Sequence, residues 1–262
     1  ILLSTSTSNG NIDGVRIGTA APADMNVFGV AIPAGSGIEC LRLSGTNHVV
    51  HGNLIGSDRS GLVARGCTTG ILMVGPRGVD IGGPDAGQGN LIVGHRDRAI
   101  GYQGGSNAEL GGRIRGNRFG VGVDGTTPLP NITTDAFANV PLISGDTGPG
   151  ALQIGGVLPG EGNLFAYTGV GRPPTPSQPP FTTCPVVANP SRWAVQGNRF
   201  LDNNGTGIDL PGDFSVRQPN DAGDGDGNDS NPRQNFPVIS AVSFPAAGQV
   251  QLTYRVDSAF AN

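Results

Sequence analysis

The tract QPNDAGDGDGNDSNP, residues 218–232, holds the densest set of potential ligand atoms in the chain. Asp221, Asp224, Asp226 and Asp229, with Asn228 among them, place hard oxygen donors on a glycine-loosened backbone, which suits Ca²⁺. Asp224-x-Asp226-x-Asn228 matches the opening of an EF-hand loop. The match then fails, because the sixth position is Asp229 where Gly is needed and the twelfth is Asn235 where Glu is needed. The tract reads as a Ca²⁺ site or as a solvated acidic linker.

A second group is cationic. Arg113, Arg115 and Arg118 lie near Arg96 and Arg98, which are expected one coil earlier. Guanidinium groups stacked in this way would hold the carboxylates of an acidic polysaccharide through paired hydrogen bonds. Arg113 and Arg115 alternate about the apolar Ile114, so both are expected to face solvent from one strand. The competing reading is an ordinary solvated face.

Catalytic constellations are harder to find. Glycoside hydrolysis needs two carboxylates roughly 5 to 9.5 Å apart, and Asp202, Asp209 and Asp213 in FLDNNGTGIDLPGD are the nearest set. Aspartates also make turns, which accounts for them equally well. A Ca²⁺-assisted lyase would combine Asp97 and Asp124 with Arg96 or Arg98. Of the three histidines, His48 and His51 straddle a strand end and His95 stands alone. All 16 basic residues are Arg, which excludes a lysine Schiff base or lysine general base. No Ser-His-Asp order stands out, and the Gly-rich GYQGGSN (101–107) leads into a strand and not into a phosphate-binding helix. Cys40, Cys67 and Cys184 fit no metal spacing, and three cysteines allow at most one disulfide within the chain.

The elements that must carry these groups are β-strands. With 45 Gly and 21 Pro among 262 residues, helices are disfavoured and short strands between tight turns are favoured. The net charge of −4 carries no electrostatic footprint for nucleic acid. No apolar run approaches the roughly 18 residues of a membrane span, so membrane insertion is not expected. A start at Ile1 with no visible signal peptide reads as a mature form or an excised piece of something longer.

A repeat organises the strands. Gly-Asn pairs in HGNLIGSDRSG (51–61), QGNLIVG (88–94), RGNRFGVGVDG (115–125), EGNLFAY (161–167) and QGNRFLDN (196–203) place Asn at 53, 90, 117, 163 and 198. Upstream, Leu41-x-Leu43, Ile71-x-Met73 and Ile100-x-Tyr102 lead at matched intervals to His51-Gly52, Ile81-Gly82 and Leu110-Gly111. VDIGGPDAGQGNLIV (79–93) aligns with LQIGGVLPGEGNLFA (152–166), Ile-Gly-Gly leading Gly-Asn by the same interval in both. Strands this short cannot bury a face alone, whereas stacked coils make a continuous core. Asn at each corner would build an amide ladder, and Ile55, Ile92, Phe119, Phe165 and Phe200, two residues on, would stack inside.

The pattern Gly-Asn-x-Ile-Gly-x-Asp in GNLIGSD, with Ile-Gly-Gly and a following Gly-Asn, resembles the right-handed parallel β-helix repeats of bacterial secreted and surface proteins in the pectin-lyase-like superfamily. The resemblance spans roughly residues 10 to 215. It implies an all-β solenoid, a right-handed parallel β-helix over 1–215, whose hand follows the crossover rule. An acidic Asp/Gly/Asn linker (216–235) and C-terminal strands (236–262) follow as a short β appendage. In similar proteins such a linker leads into an immunoglobulin-like module, and here the strands read as one hairpin, either a cap or the start of such a module. Two stretches break the repeat: 128–150 has no clear Gly-Asn corner, and the Pro-rich 171–190 reads as a long loop.

For function, the resemblance implies an extracellular or bacterial cell-surface module with a structural, adhesive or glycan-binding role. Its expected partners are polysaccharide, a surface protein or a copy of itself, with Ca²⁺ as the one candidate cofactor. The alternative is a polysaccharide-active enzyme: a lyase, glycoside hydrolase or epimerase.

Overall fold

The computed structural model describes residues 2–3, 12–30, 37–103, 111–131, 142–145, 152–170, 187–188, 193–209, 222 and 237–257. They belong to two units, Ile1–Phe214 and Ser215–Asn262.

In the first unit the strands recur in cycles of three, each cycle one coil. Coil 1 holds β1 (Leu2–Leu3), β2 (Arg16–Ile17) and β3 (Val27–Phe28). Coil 2 holds β4 (Glu39–Thr46), β5 (Val49–Val50) and β6 (Leu54–Ile55), and coil 3 holds β7 (Thr69–Arg77), β8 (Val79–Ile81) and β9 (Leu91–Ile92). Coil 4 follows with β10 (Arg98–Gln103), β11 (Gly112–Ile114) and β12 (Arg118–Phe119). Coil 5 is β13 (Ile143–Gly145), β14 (Gln153–Gly155) and β15 (Leu164–Ala166); coil 6 is β16 (Val187–Ala188), β17 (Ala194–Gln196) and β18 (Arg199–Leu201). β19 (Ile208–Asp209) opens the next turn. First strands pair into sheet A, second strands into sheet B and third strands into sheet C. Every pairing within them is parallel. The first unit is a parallel β-helix.

Alternation along each strand sends one residue in and the next out. Inward rows run Leu41, Ile71, Ile100 and Ile143 in sheet A, and Val50, Ile81, Ile114 and Ile154 in sheet B; all are fully buried. In sheet C, Ile55, Ile92, Phe119 and Phe165 are fully buried, as expected. Phe200 is not: it is 40% exposed, because it ends the row. Its ring stacks on Phe165 (5.4 Å between centroids), as Phe165 does on Phe119 (4.6 Å). The expected register also slips in coil 4. Ile81 lies level with Ile114, not with Leu110, and Val50 rather than His51 lies level with Ile81. The sheet aligns inward side chains, whereas the spacing had aligned turns. The irregular tracts still feed sheet A, since β13 lies within 128–150 and β16 within 171–190. The remainder of the Pro-rich tract lies outside the described residues.

The Gly-Asn corners join sheet B to sheet C and form a ladder. The backbone N–H and Nδ2 of Asn53 both donate to Oδ1 of Asn90, at 3.0 and 3.1 Å. Asn90 does the same to Asn117, Asn117 to Asn163, and Asn163 to Asn198. Each Nδ2 also reaches a strand carbonyl one coil back, such as Ile17 from Asn53 and Ile81 from Asn117. Asn26 is a sixth member, bonded to Asn53, although no Gly precedes it.

The corners alternate in length. Ile17 to Asn26, Ile81 to Asn90 and Ile154 to Asn163 each span nine positions, whereas Val50 to Asn53, Ile114 to Asn117 and Val195 to Asn198 each span three. Long corners therefore occur in coils 1, 3 and 5. At the corner from sheet C back to sheet A, antiparallel bridges close the turns 57–64 in coil 2 and 121–128 in coil 4. At the sheet B to sheet C corner the repeat is therefore two coils, and Asn26–Asn90 and Asn53–Asn117 are each separated by 64 positions.

A disulfide joins Cys40 in β4 to Cys67 at the entry to β7, with both residues buried. Cys184 lies outside the described residues.

In the second unit, β20 (Val238–Ser243) and β21 (Gln251–Arg255) pair antiparallel, with a bulge between Ile239 and Ala241. Its Val238, Ile239, Val242, Leu252 and Tyr254 are all exposed.

Candidate functional site

The alternation of corners builds a groove over the outer face of sheet C. One wall is the stack of long corners 18–25, 82–89 and 155–162. These touch across the intervening short coils so closely that a Cβ on Gly87 would collide with the Ala20 carbonyl, and one on Gly160 with the Pro84 carbonyl. The opposite wall carries the turns 57–64 and 121–128, joined where the Val123 N–H donates to the Gly61 carbonyl.

The Ile-Gly-Gly motif is what admits the long corners of coils 3 and 5. Gly82 and Gly155 take positive φ (70° and 79°) beside the Asn of the next coil. Gly83 and Gly156 leave room for the side chains of Gln88 and Glu161, which fold back into their own loops. Gln88 Oε1 accepts from the Asp85 N–H, and Glu161 Oε2 from the Leu158 N–H. These contacts brace the wall.

The floor is the residue after each Asn: in register, Val27, Leu54, Leu91, Arg118, Leu164 and Arg199. Leu54 and Leu91 join Val93 and Leu129 in a small apolar cluster outside the main core. Two depressions open here, of about 410 and 330 Å³, and both are lined by Gly116 and Arg118. The second reaches Arg199. Arg118 Nη1 donates to the Val123 carbonyl at 2.6 Å, which ties the floor to the turn wall. Neither Arg118 nor Arg199 is ion-paired to a carboxylate among the described residues.

The five arginines singled out by spacing do not form one patch. Arg98 belongs to sheet A, Arg113 to sheet B and Arg118 to sheet C. Arg113 is bidentate to Asp80 at 3.0 and 2.7 Å, and that pairing holds its pKa above the usual guanidinium value. Its neighbours in register are Asp80 and Gln153, so arginines do not stack there. Arg115 does not face solvent as expected. It lies past the end of β11 and pairs with Glu161 at 2.8 Å, with side chains only 13% and 10% exposed. The Leu158 N–H and the Arg115 guanidinium lower the pKa of Glu161. Arg98 pairs with Asp97 at 3.1 Å, and Arg96 donates its backbone N–H to Cys67. Spacing counted residues between arginines but not the sheet boundaries they cross.

The acidic candidates separate in the same way. Asp202 sits in the turn after β18 with φ 49°, and Asp209 lies in β19. Asp213 and the Ca²⁺ candidates Asp221, Asp224, Asp226, Asn228 and Asp229 lie outside the described residues. Asp124 accepts from Thr126 and twice from Thr127, and these bonds hold its carboxyl far below the usual range. Burial raises the pKa of Asp97. Among the described residues, no three His, Cys, Asp or Glu side chains gather where they could hold a metal ion.

The histidines brace corners. His48 is buried, with Nδ1 accepting from the Val15 N–H and Nε2 at 3.1 Å from the Ser44 carbonyl. His95 is fully buried, and its Nδ1 accepts from the Cys67 N–H at 3.2 Å. Burial drives its pKa down to about 4, so the ring is neutral. Its Nε2 has no hydrogen-bond partner in good geometry.

Sequence reasoning missed Arg199 as a partner of Arg118. The signal was present, since both occupy the position after Asn in Gly-Asn-Arg-Phe. Among the described residues no helix is long and apolar enough to cross a membrane. Set against known proteins, the chain matches no family model, no curated protein and no solved structure.

Proposed function

We propose that the chain is an extracellular β-helix module that binds glycan on its surface and serves as a rigid scaffold. We place it with the parallel β-helix repeats of bacterial secreted and surface proteins in the pectin-lyase-like superfamily. The observation that carries this reading is the groove over sheet C, walled by loops on both sides and floored by leucine and arginine. A scaffold of stacked coils holds such a floor rigid, which limits the entropy lost on binding. The buried Cys40–Cys67 disulfide supports an oxidising compartment, such as the cell exterior.

Cleavage draws less support. The wall carboxylates Asp85 and Asp124 are engaged by bonds within their own loops, which suits turn-making. The reading is tested by incubating the chain with a panel of acidic and neutral polysaccharides, with and without Ca²⁺. Retention of a glycan with no new reducing ends or unsaturated products is the expected result. Absence of binding across the panel, or glycan cleavage, would defeat it.

A further inference from the structure

We infer that the solenoid assembles head to tail: coil 6 of one copy of the chain takes coil 1 of a second copy as its next turn, which gives an open filament. The inference goes beyond the glycan-binding reading and does not rest on it. The asparagine ladder has a direction, each Asn giving its backbone N–H and Nδ2 to Oδ1 of the Asn in the following coil. Its two ends are therefore complementary. Asn198 in coil 6 donates Nδ2 to the Ile154 carbonyl, and among the described residues neither its N–H nor its second amide hydrogen has an acceptor. Asn26 in coil 1 donates to Asn53, while among the described residues nothing donates to its own Oδ1. The strand bonds run out in the same sense. The N–H after each Asn donates to the Asn carbonyl one coil back, from Leu54 to Asn26 through to Arg199 to Asn163, which leaves the Val27 N–H and the Asn198 carbonyl open.

Corners and core fit the same joint. A short corner bonds to a long corner in the next coil: the Gly52 and Gly116 N–H groups donate to the Gln88 and Glu161 carbonyls. Coil 6 ends on a short corner and coil 1 supplies a long one, in which Asp24 precedes Asn26 by two positions as Gln88 precedes Asn90. The Gly197 N–H of one copy thus meets the Asp24 carbonyl of the next. Phe200, exposed at the end of its row, stacks on Phe28, which stands in register with Ile55 at the start of that row. In sheet A the place after β16 is already filled by β19, so β1 of the arriving copy, held to β4 by two residue pairs, gives way and β4 pairs with β19. A symmetric dimer does not satisfy these groups, because tail against tail sets the Asn198 donors against donors. Stacking along the solenoid axis joins unlike ends and always leaves one of each free, so growth is open-ended.

The test is sedimentation velocity and electron microscopy of the whole chain over a range of concentrations. Mass should rise without stopping at two copies, and filaments should show an axial repeat of roughly 29 Å, six coils at about 4.8 Å each. In the joint, the row of β15 and β18 continues into β3, which sets Val27 beside Arg199 of the preceding copy. Val27 is exposed, so substitutions there should leave the melting temperature unchanged. Val27→Arg should raise the concentration needed for growth at least about tenfold, through like-charge contact with Arg199. Val27→Glu should lower it, with the gain fading as salt rises, and Val27→Arg with Arg199→Glu should restore growth. A chain that stays monomeric at every concentration, a mass that stops at the dimer, growth indifferent to Val27→Arg, or no restoration by the double substitution would overturn the inference. None of these results bears on the glycan-binding reading.

Discussion

Arg115 in coil 4 reaches across to Glu161 in the long corner of coil 5, Nη1 to Oε1 at 2.8 Å, with both side chains almost wholly covered. The pair ties a short corner to the loop that lies over it, beside the bond from the Gly116 N–H to the Glu161 carbonyl. Replacing Arg115 by Ala leaves a covered carboxylate without its cation, a loss out of proportion to that of a surface ion pair. Arg115→Ala should therefore lower the melting temperature by several degrees, whereas Arg113→Ala, whose guanidinium is half exposed, should lower it little. Scanning calorimetry of the two variants distinguishes them.

The asparagine ladder makes a graded prediction. Asn117 is 1% exposed; its Oδ1 accepts two bonds from Asn90, and its Nδ2 donates to Ile81, Arg115 and Asn163. Truncation to Ala strands several buried partners, each costing about 1–3 kcal/mol. Asn117→Ala should destabilise by roughly 3 kcal/mol or more. Asn26→Ala, at the end of the ladder and partly exposed, should cost about 1 kcal/mol. Urea denaturation of both variants gives the comparison.

His95 sets an acid dependence. Its pKa falls from 6.5 unfolded to about 4 folded, because burial disfavours the charged ring. The folded state binds this proton less readily, so the contribution is fully present above pH 6.5 and is lost as pH falls toward 4. The loss over that window is on the order of 3 kcal/mol. His51, whose pKa is also lowered by burial, adds a smaller loss of the same sign. Denaturation midpoints measured from pH 7 to pH 5 should decline, and His95→Gln should flatten most of the slope.

The disulfide closes a loop of 27 residues of sequence separation. Loop-closure entropy for that length is worth about 3–4 kcal/mol. Reduction, or Cys40→Ser with Cys67→Ser, should shift the urea midpoint down by a corresponding amount. Cys184→Ser leaves that loop closed and should not reproduce the shift.

The coil was legible because its determinants are local and repeat: Asn at the corner, an apolar residue two positions later, and Gly where backbones nearly touch. Ile55, Ile92, Phe119 and Phe165 followed directly from that rule. Phe200 obeyed the same rule and still emerged half exposed, because burial of a row needs a neighbour on each side and a motif records only its own turn. Arg113 and Arg115 failed for a related reason. Alternation about Ile114 describes a strand, but β11 ends at Ile114, and Arg115 enters the corner where Glu161 meets it. Asn26 was missed because its corner carries Met25 in place of Gly. The groove was the least legible feature. Its walls come from loops 64 or 73 positions apart, which touch only because a short coil lies between them.

That alternation restricts how the chain can grow or shrink. Excision of residues 27–90 would join one long corner to the strand that follows the next, removing Cys40 and Cys67 together and preserving the order of long and short turns. Excision of 54–90 would set two short corners side by side, remove Gln88, whose carbonyl accepts from the Gly52 N–H, and leave Cys40 without Cys67. Lineages of this chain should therefore differ in length by pairs of coils, so that parity, more than the number of repeats, is the heritable trait of the solenoid.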